Sequence, residues 1–221
     1  MPSPLLILQL ADSAFPTGGF AHSGGLEAAH QLGEIRGPDS LARFLAHSIE
    51  HAARASLPLV NAAHAAPSRL PEFDRLCDAS LLLAPANRSS RAQGRAWLNA
   101  AAAAFSTPAL RDLRASVRAA ALPGHLAPVF GAVTALLALP AEDAQRIHLF
   151  LHARGLISAA VRLNLAGPME AQALQHRLAP AIESARERAA HLREHDLAGA
   201  APLLDLFQAH HDRLYSRLFS S

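Results

Sequence analysis

Lysine is missing from this chain: all 20 residues counted as Lys or Arg are arginine. That absence excludes a Walker-type phosphate-binding lysine, a lysine Schiff base and every PLP enzyme built on one. Cysteine is almost missing as well. The single Cys77 rules out an internal disulfide and points to a reducing compartment. Aromatic residues make up only 5%, with one Trp and one Tyr, and valine and isoleucine are sparse, which leaves little material for strands. Long apolar runs are also lacking. The uncharged stretch from Ala119 to Ala141 is broken by Pro123, Gly124, His125 and Pro128, and its continuous apolar part is about half the ~20 residues that cross a bilayer. The opening residues carry no basic segment, and Leu5–Leu10 is too short for the core of a secretion signal. The expectation is a cytoplasmic protein with no membrane partner.

Charge of either sign is modest. Twenty basic residues face 18 acidic ones, for a formal net charge of +2, yet the isoelectric point is 9.4. Arginine stays protonated, so above pH 7 the chain can lose protons only from one Cys, one Tyr, the α-amino group and residual His⁺. The titration curve is nearly flat there, and a small positive excess pushes the crossing point high. A nucleic-acid footprint needs clustered basic residues interleaved with aromatics. Here the arginines are scattered, so no nucleic-acid partner is expected.

Hydrophobic residues amount to 51% and mean hydropathy is +0.14, the composition of a chain with a substantial core. Over 221 residues this reads as one domain, 1–221, able to fold without a disulfide or metal staple. Alanine and leucine dominate and favour helix throughout. Helix starts are marked by proline. Pro38-Asp39-Ser40 opens a segment with Leu41, Phe44, Leu45, Ile49 and Ala52 on one face, Pro71 begins a short helix around Cys77, and Thr107-Pro108 forms an N-cap with a first-turn proline. Pro140 starts a long helix, Gly167-Pro168 separates it from a segment that Pro180 should kink or divide, and a last helix runs from Pro202 almost to the final residue. The fold class is all-α, a single multi-helix domain of about eight to ten helices.

Thirteen histidines invite a search for a metal site. His47/His51, His148/His152 and His191/His195 stand at i,i+4, which on a helix places two imidazoles on one face. Two of these pairs read H-x-x-E-H, through Glu50 and Glu194, the pattern of inverted zinc peptidases. Neither has an obvious third carboxylate ligand, and Ile49 places one of them against the core side of its helix. No metal ligand, catalytic residue or bound cofactor is assigned. A helical metal-dependent hydrolase and a generic helical adaptor remain as alternatives.

Two segments stand out. The stretch Leu8–Glu27 holds four of the 12 glycines, so its backbone turns sharply or is closely approached. Asp12 or Ser13 can cap a turn there, and Ser23 can cap the helix that begins near Leu26. At the other end, Leu204, Phe207, His211, Leu214 and Leu218 follow a 3-4-3-4 spacing close to the last residue, with Tyr215, Arg217 and Phe219 beside them. Chain ends are usually polar, and this residue mix is favoured at interface anchors.

QLADSAFPTGGFAHSGGLE and HDRLYSRLFSS resemble the N-terminal and C-terminal signatures of the urease accessory protein UreF family. Between them, Gly124–Gly131, Arg91–Arg95 and Ser158–Leu163 with Gly167 and Gln172 are similar to further stretches of that family, in the same order. The chain departs from the pattern at Phe15 and Thr17, at Asn87 where an arginine is expected, and at Ala209–Asp212. The resemblance implies an all-α, non-enzymatic chaperone that works with UreD (also called UreH) and the GTPase UreG to load nickel into apo-urease, typically as a homodimer. It implies no stoichiometric cofactor, nickel being handled by the complex. It places partner contacts, to UreD, UreG or the second protomer, on Asp12, Ser13, Phe15, Pro16, Gly18, Gly19, Phe20, His22, Ser23, Gly25 and Glu27. On the C-terminal segment it places them on His211, Leu214, Tyr215, Arg217, Leu218 and Phe219.

Overall fold

The computed structural model describes residues 4–199 and 201–221, and no strand occurs among them. The helices are α1 (Pro4–Ala11), α2 (Leu26–Gln31), α3 (Pro38–Ala55), α4 (Leu57–Ala65), α5 (Leu70–Ser80) and α6 (Ala84–Phe105). They continue with α7 (Pro108–Ala119), α8 (Leu126–Leu136), α9 (Ala141–Arg162), α10 (Pro168–Ala189) and α11 (Pro202–His210). Single 3-10 turns lie at Gly19–Ala21, Pro67–Arg69, Glu194–Asp196 and His211–Arg213. Proline marks the starts as its fixed φ requires, standing in the first turn of α3 to α7, α10 and α11. At α7 the Thr107 side chain accepts from Leu110 N.

Helix α8 lies at the centre, packed by α4 and α6 and also touching α5, α7 and α9. Its residues Ala127–Thr134 are all buried. A Cβ at Gly131 would lie 2.3 Å from Val60 O, so glycine is what lets α8 and α4 approach this closely. Beside them α3, α9 and α10 pack on one another. Arg146 of α9 ties that layer together by binding Glu142, Asp143 and, across to α10, Glu183 at 2.6 Å. One apolar core runs through every α-helix. Within it Trp97 stands between Phe15 and Phe130, at centroid distances of 5.0 and 4.7 Å.

Two expectations are narrowed or corrected here. Of the kink or division expected at Pro180, division does not occur, since α10 runs unbroken from Pro168 to Ala189. The ring is exposed, and the carbonyl it deprives of a partner can turn to water. The last helix stops early: α11 ends at His210, a 3-10 turn follows, Leu214 is extended, and from there the backbone is irregular, with bends at 215–216 and 218–219. The 3-4-3-4 seam therefore belongs to a helix only as far as Phe207. Beyond it, backbone hydrogen bonds to distant residues replace the helical ladder.

Candidate functional site

The segment after Arg213 forms a strap along α2 and the loop before it. Gln31 Nε2 donates to Ser216 O at 3.0 Å. Leu218 N and Phe219 N donate to the two carboxylate oxygens of Glu27, at 2.6 and 3.3 Å. Ser220 N donates to Ala21 O at 2.8 Å, and Ser23 N to Ser221 O at 2.6 Å. The Ser23 hydroxyl also reaches Ser221 O at 3.3 Å, and His22 Nδ1 is hydrogen-bonded with Ser221 Oγ at 2.6 Å. Glu27 and Ser23 are buried beneath the strap. A buried carboxylate is tolerated only when its lone pairs are met, and here two backbone N–H groups meet them. The Ser23 side chain therefore caps no amide of α2, although its carbonyl accepts from Leu26 N at 3.1 Å. The residue at the N-cap of α2 is Gly25, at φ +89, where a Cβ would also press on Gln208 at 3.1 Å.

Further contacts fix the strap's two ends. The Arg162 guanidinium lies 4.3 Å over the Phe219 ring and donates to Phe20 O. Arg88 Nη2 donates to both oxygens of Asp212, at 2.7 and 2.9 Å, which holds the Asp212 carboxyl below the usual range. His211 is enclosed, its Nδ1 3.8 Å from Glu27 Oε2, and burial lowers its pKa despite that neighbour.

The structure thus brings the two signature segments together but sorts their residues into two kinds. Phe15, Ser23, Gly25, Glu27, His211 and Phe219 are buried, and they build the site rather than face outward. Gly18, Gly19, His22 and Leu214 are half-buried, while Asp12, Ser13, Pro16 and Arg217 are exposed. Asp12 does cap its turn, accepting from Ala14 N at 2.8 Å. Tyr215 is fully exposed, Phe20 is 72% exposed and Leu218 is 52% exposed. Arg88, Arg162 and Gln31 also belong to the site. No local pattern marks them, because each acts on a segment more than 120 residues away.

A second polar cluster joins two of the other family-like stretches, Arg91–Arg95 and Gly124–Gly131. Asp74 accepts from Gly124 N and His125 N at 2.8 and 2.7 Å. Asp78 accepts from Asn87 and Arg91 and lies 3.0 Å from His125 Nε2, which drives its carboxyl far below the usual range. Asn87, at the departure from the family pattern, fills its place by also donating to Leu81 O at 3.1 Å.

Two of the three histidine pairs approach one another, His51 of α3 lying close enough to His152 of α9 to help lower its pKa. His191 and His195 both lie beyond the end of α10 at Ala189, His195 in the 3-10 turn Glu194–Asp196, and they share no helix. Glu194 is paired with Arg69, and Glu50 with Arg54 and Arg188. His148 and His152 turn inward to Ser56 and Ser48. Among the described residues no group of three or more His, Cys, Asp or Glu side chains is placed to hold a metal ion. Cys77 is buried, its thiol pushed up to about 12 by burial and by Asp74 and Asp78, so it stays protonated. No described helix is long and apolar enough to cross a membrane.

Comparison with known proteins identifies the family. The UreF family model matches residues 35–179. Urease accessory protein F of Arabidopsis thaliana is 39% identical over 217 residues, covering 96% of this chain and 90% of that protein. Its namesake in Oryza sativa subsp. indica is 37% identical, covering 96% and 82%. Urease accessory protein UreF of Trichodesmium erythraeum is 29% identical, covering 98% and 96%. An all-helical chain matched over nearly its full length by these relatives is a member of the UreF family of urease accessory proteins.

Proposed function

We propose that this protein acts in urease maturation as a non-enzymatic adaptor that bridges UreD (UreH) and the GTPase UreG, so that nickel reaches apo-urease. It works as a homodimer in the cytoplasm and keeps no stoichiometric cofactor; nickel is cargo of the complex. The GTP chemistry belongs to a partner, since this chain has no lysine with which to build a phosphate loop.

The observation that carries the reading is the strap. Its backbone is pinned by Glu27, Ala21 and Ser23, yet it turns Tyr215 and Leu218 outward, with Phe20 exposed on the segment beneath. An apolar surface held on an ordered backbone loses little further entropy on docking, and large anchors of this kind typically cost about 2 kcal/mol or more when truncated.

The test is a double variant, Tyr215→Ala with Leu218→Asp, which leaves every strap hydrogen bond in place. UreD capture in a pull-down should fall at least about tenfold and urease activation with it, while the melting temperature stays put. Undiminished UreD capture by the variant would overturn the reading.

A further inference from the structure

A different surface, two turns along α6 from Arg88, has no role in the strap. Between the C-terminal half of α6 and α7 an open cleft of about 480 Å3 is lined by Arg95, Asn99, Arg114 and Arg118, over a floor of Leu98, Val117 and Leu122. Arg95 is held in position. Its Nε donates to Pro123 O at 2.9 Å and its stem lies against Gly124, which leaves both terminal nitrogens unused. Arg114 and Arg118 form no ion pair and no side-chain hydrogen bond among the described residues, and no acidic side chain lines the cleft. Eight arginines elsewhere carry carboxylate partners, among them Arg69, Arg88, Arg91, Arg146, Arg186 and Arg188. The cleft thus gathers three guanidinium groups without carboxylate partners around one apolar floor, with no acidic side chain among its lining residues.

We propose that this cleft docks an acidic segment of a partner protein, with carboxylates on Arg95, Arg114 and Arg118 and an apolar side chain over the Leu98–Val117–Leu122 floor. Guanidinium forks match carboxylates in geometry as well as charge. The floor asks for an apolar group that an inorganic anion does not supply. A nucleic acid would need aromatic platforms for its bases, and the cleft has none. Asn99, exposed at the rim, can bond the backbone of an extended chain.

The test uses the full chain and a fluorescein-labelled synthetic peptide alternating Glu-Glu with Leu, with an oligo-dT strand and inorganic phosphate as competitors. Binding should be saturable and weaken with salt. Arg114→Gln with Arg118→Gln should weaken it about tenfold, whereas Arg43→Gln on α3 should leave it unchanged. The Nε–Hε resonances of Arg95, Arg114 and Arg118 should move on titration. Asn99→Glu, a single exposed change that cannot disturb the core, should weaken binding in the same way and stands in if the double variant folds poorly. An unchanged Kd in both variants, an oligo-dT strand that binds as tightly as the peptide, or complete displacement of the peptide by phosphate would each overturn the proposal. So would a self-association that the variants abolish, since the occupant would then be a second copy.

Discussion

Glu27 shows how one side chain can hold a segment that has no secondary structure of its own. Its carboxylate lies out of water and takes two backbone donors from the strap. Hydrogen bonds to a charged group contribute about 1.5–3 kcal/mol each, and removing one partner leaves the others unmet. Glu27→Ala should therefore cost about 2–3 kcal/mol in chemical denaturation and free the strap, so that trypsin cuts at the exposed Arg217 well before the core opens. A variant that melts as the parent does and resists trypsin would show that apolar packing of Phe219 alone holds the strap. In the sequence, Glu27 is marked only by the family resemblance, as a partner contact, and not as a residue that holds the chain's own end. Its role depends on amides 191 and 192 positions away, and no local spacing encodes a pairing of that range.

The helices end in a way that explains why their starts were easier to read than their stops. After α7, α8 and α9 the chain passes through Ala121, Ala138 and Asn164 at positive φ, and Leu122, Leu139 and Leu165 then donate back to Val117, Thr134 and Ala160 at 3.0, 3.0 and 2.9 Å. These are Schellman closures with a leucine covering the end, but glycine, the usual signal, is missing from all three. Proline starts are visible because the ring fixes φ locally, whereas an alanine in the left-handed region is imposed by tertiary packing. Ala138 is exposed, so replacing it with glycine removes the steric penalty without opening a cavity. Ala138→Gly should stabilise the protein by about 1 kcal/mol, read as a higher denaturation midpoint at unchanged m-value. The final helix failed to extend past His210 for the complementary reason. Once Glu27, Ala21 and Ser23 offer the strap backbone its partners, the helical ladder is no longer the lowest-energy use of those amides.

Over the whole molecule, composition was enough for the fold class, and the order of proline-marked helices for most of the architecture, because both depend on short-range physics. The histidines were not legible in this way. At α9 the i,i+4 pair His148/His152 is real, yet it faces Ser56 and Ser48 of α3's end and its following turn, not a metal. Burial holds His148 at about 3 and His152 at about 4, and lowers His51, whose Nε2 lies 3.8 Å from Asp205. In an unfolded chain each would titrate near 6.5. Below that pH the unfolded state binds the extra protons, so stability is full above pH 6.5 and falls as the pH drops from there toward 4. The slope is up to about 1.4 kcal/mol per pH unit for each histidine. Denaturation midpoints across this range should show that fall, and His148→Leu should flatten it; a midpoint independent of pH between 6.5 and 4 would contradict the account. The strap has a further consequence, in the timing of synthesis. On a ribosome, α2 and its carboxylate emerge while the amides that will cover them are still some 190 residues from being made. Glu27 must therefore stay hydrated until residues 218 and 219 have been made, and the surface built on it exists only after them.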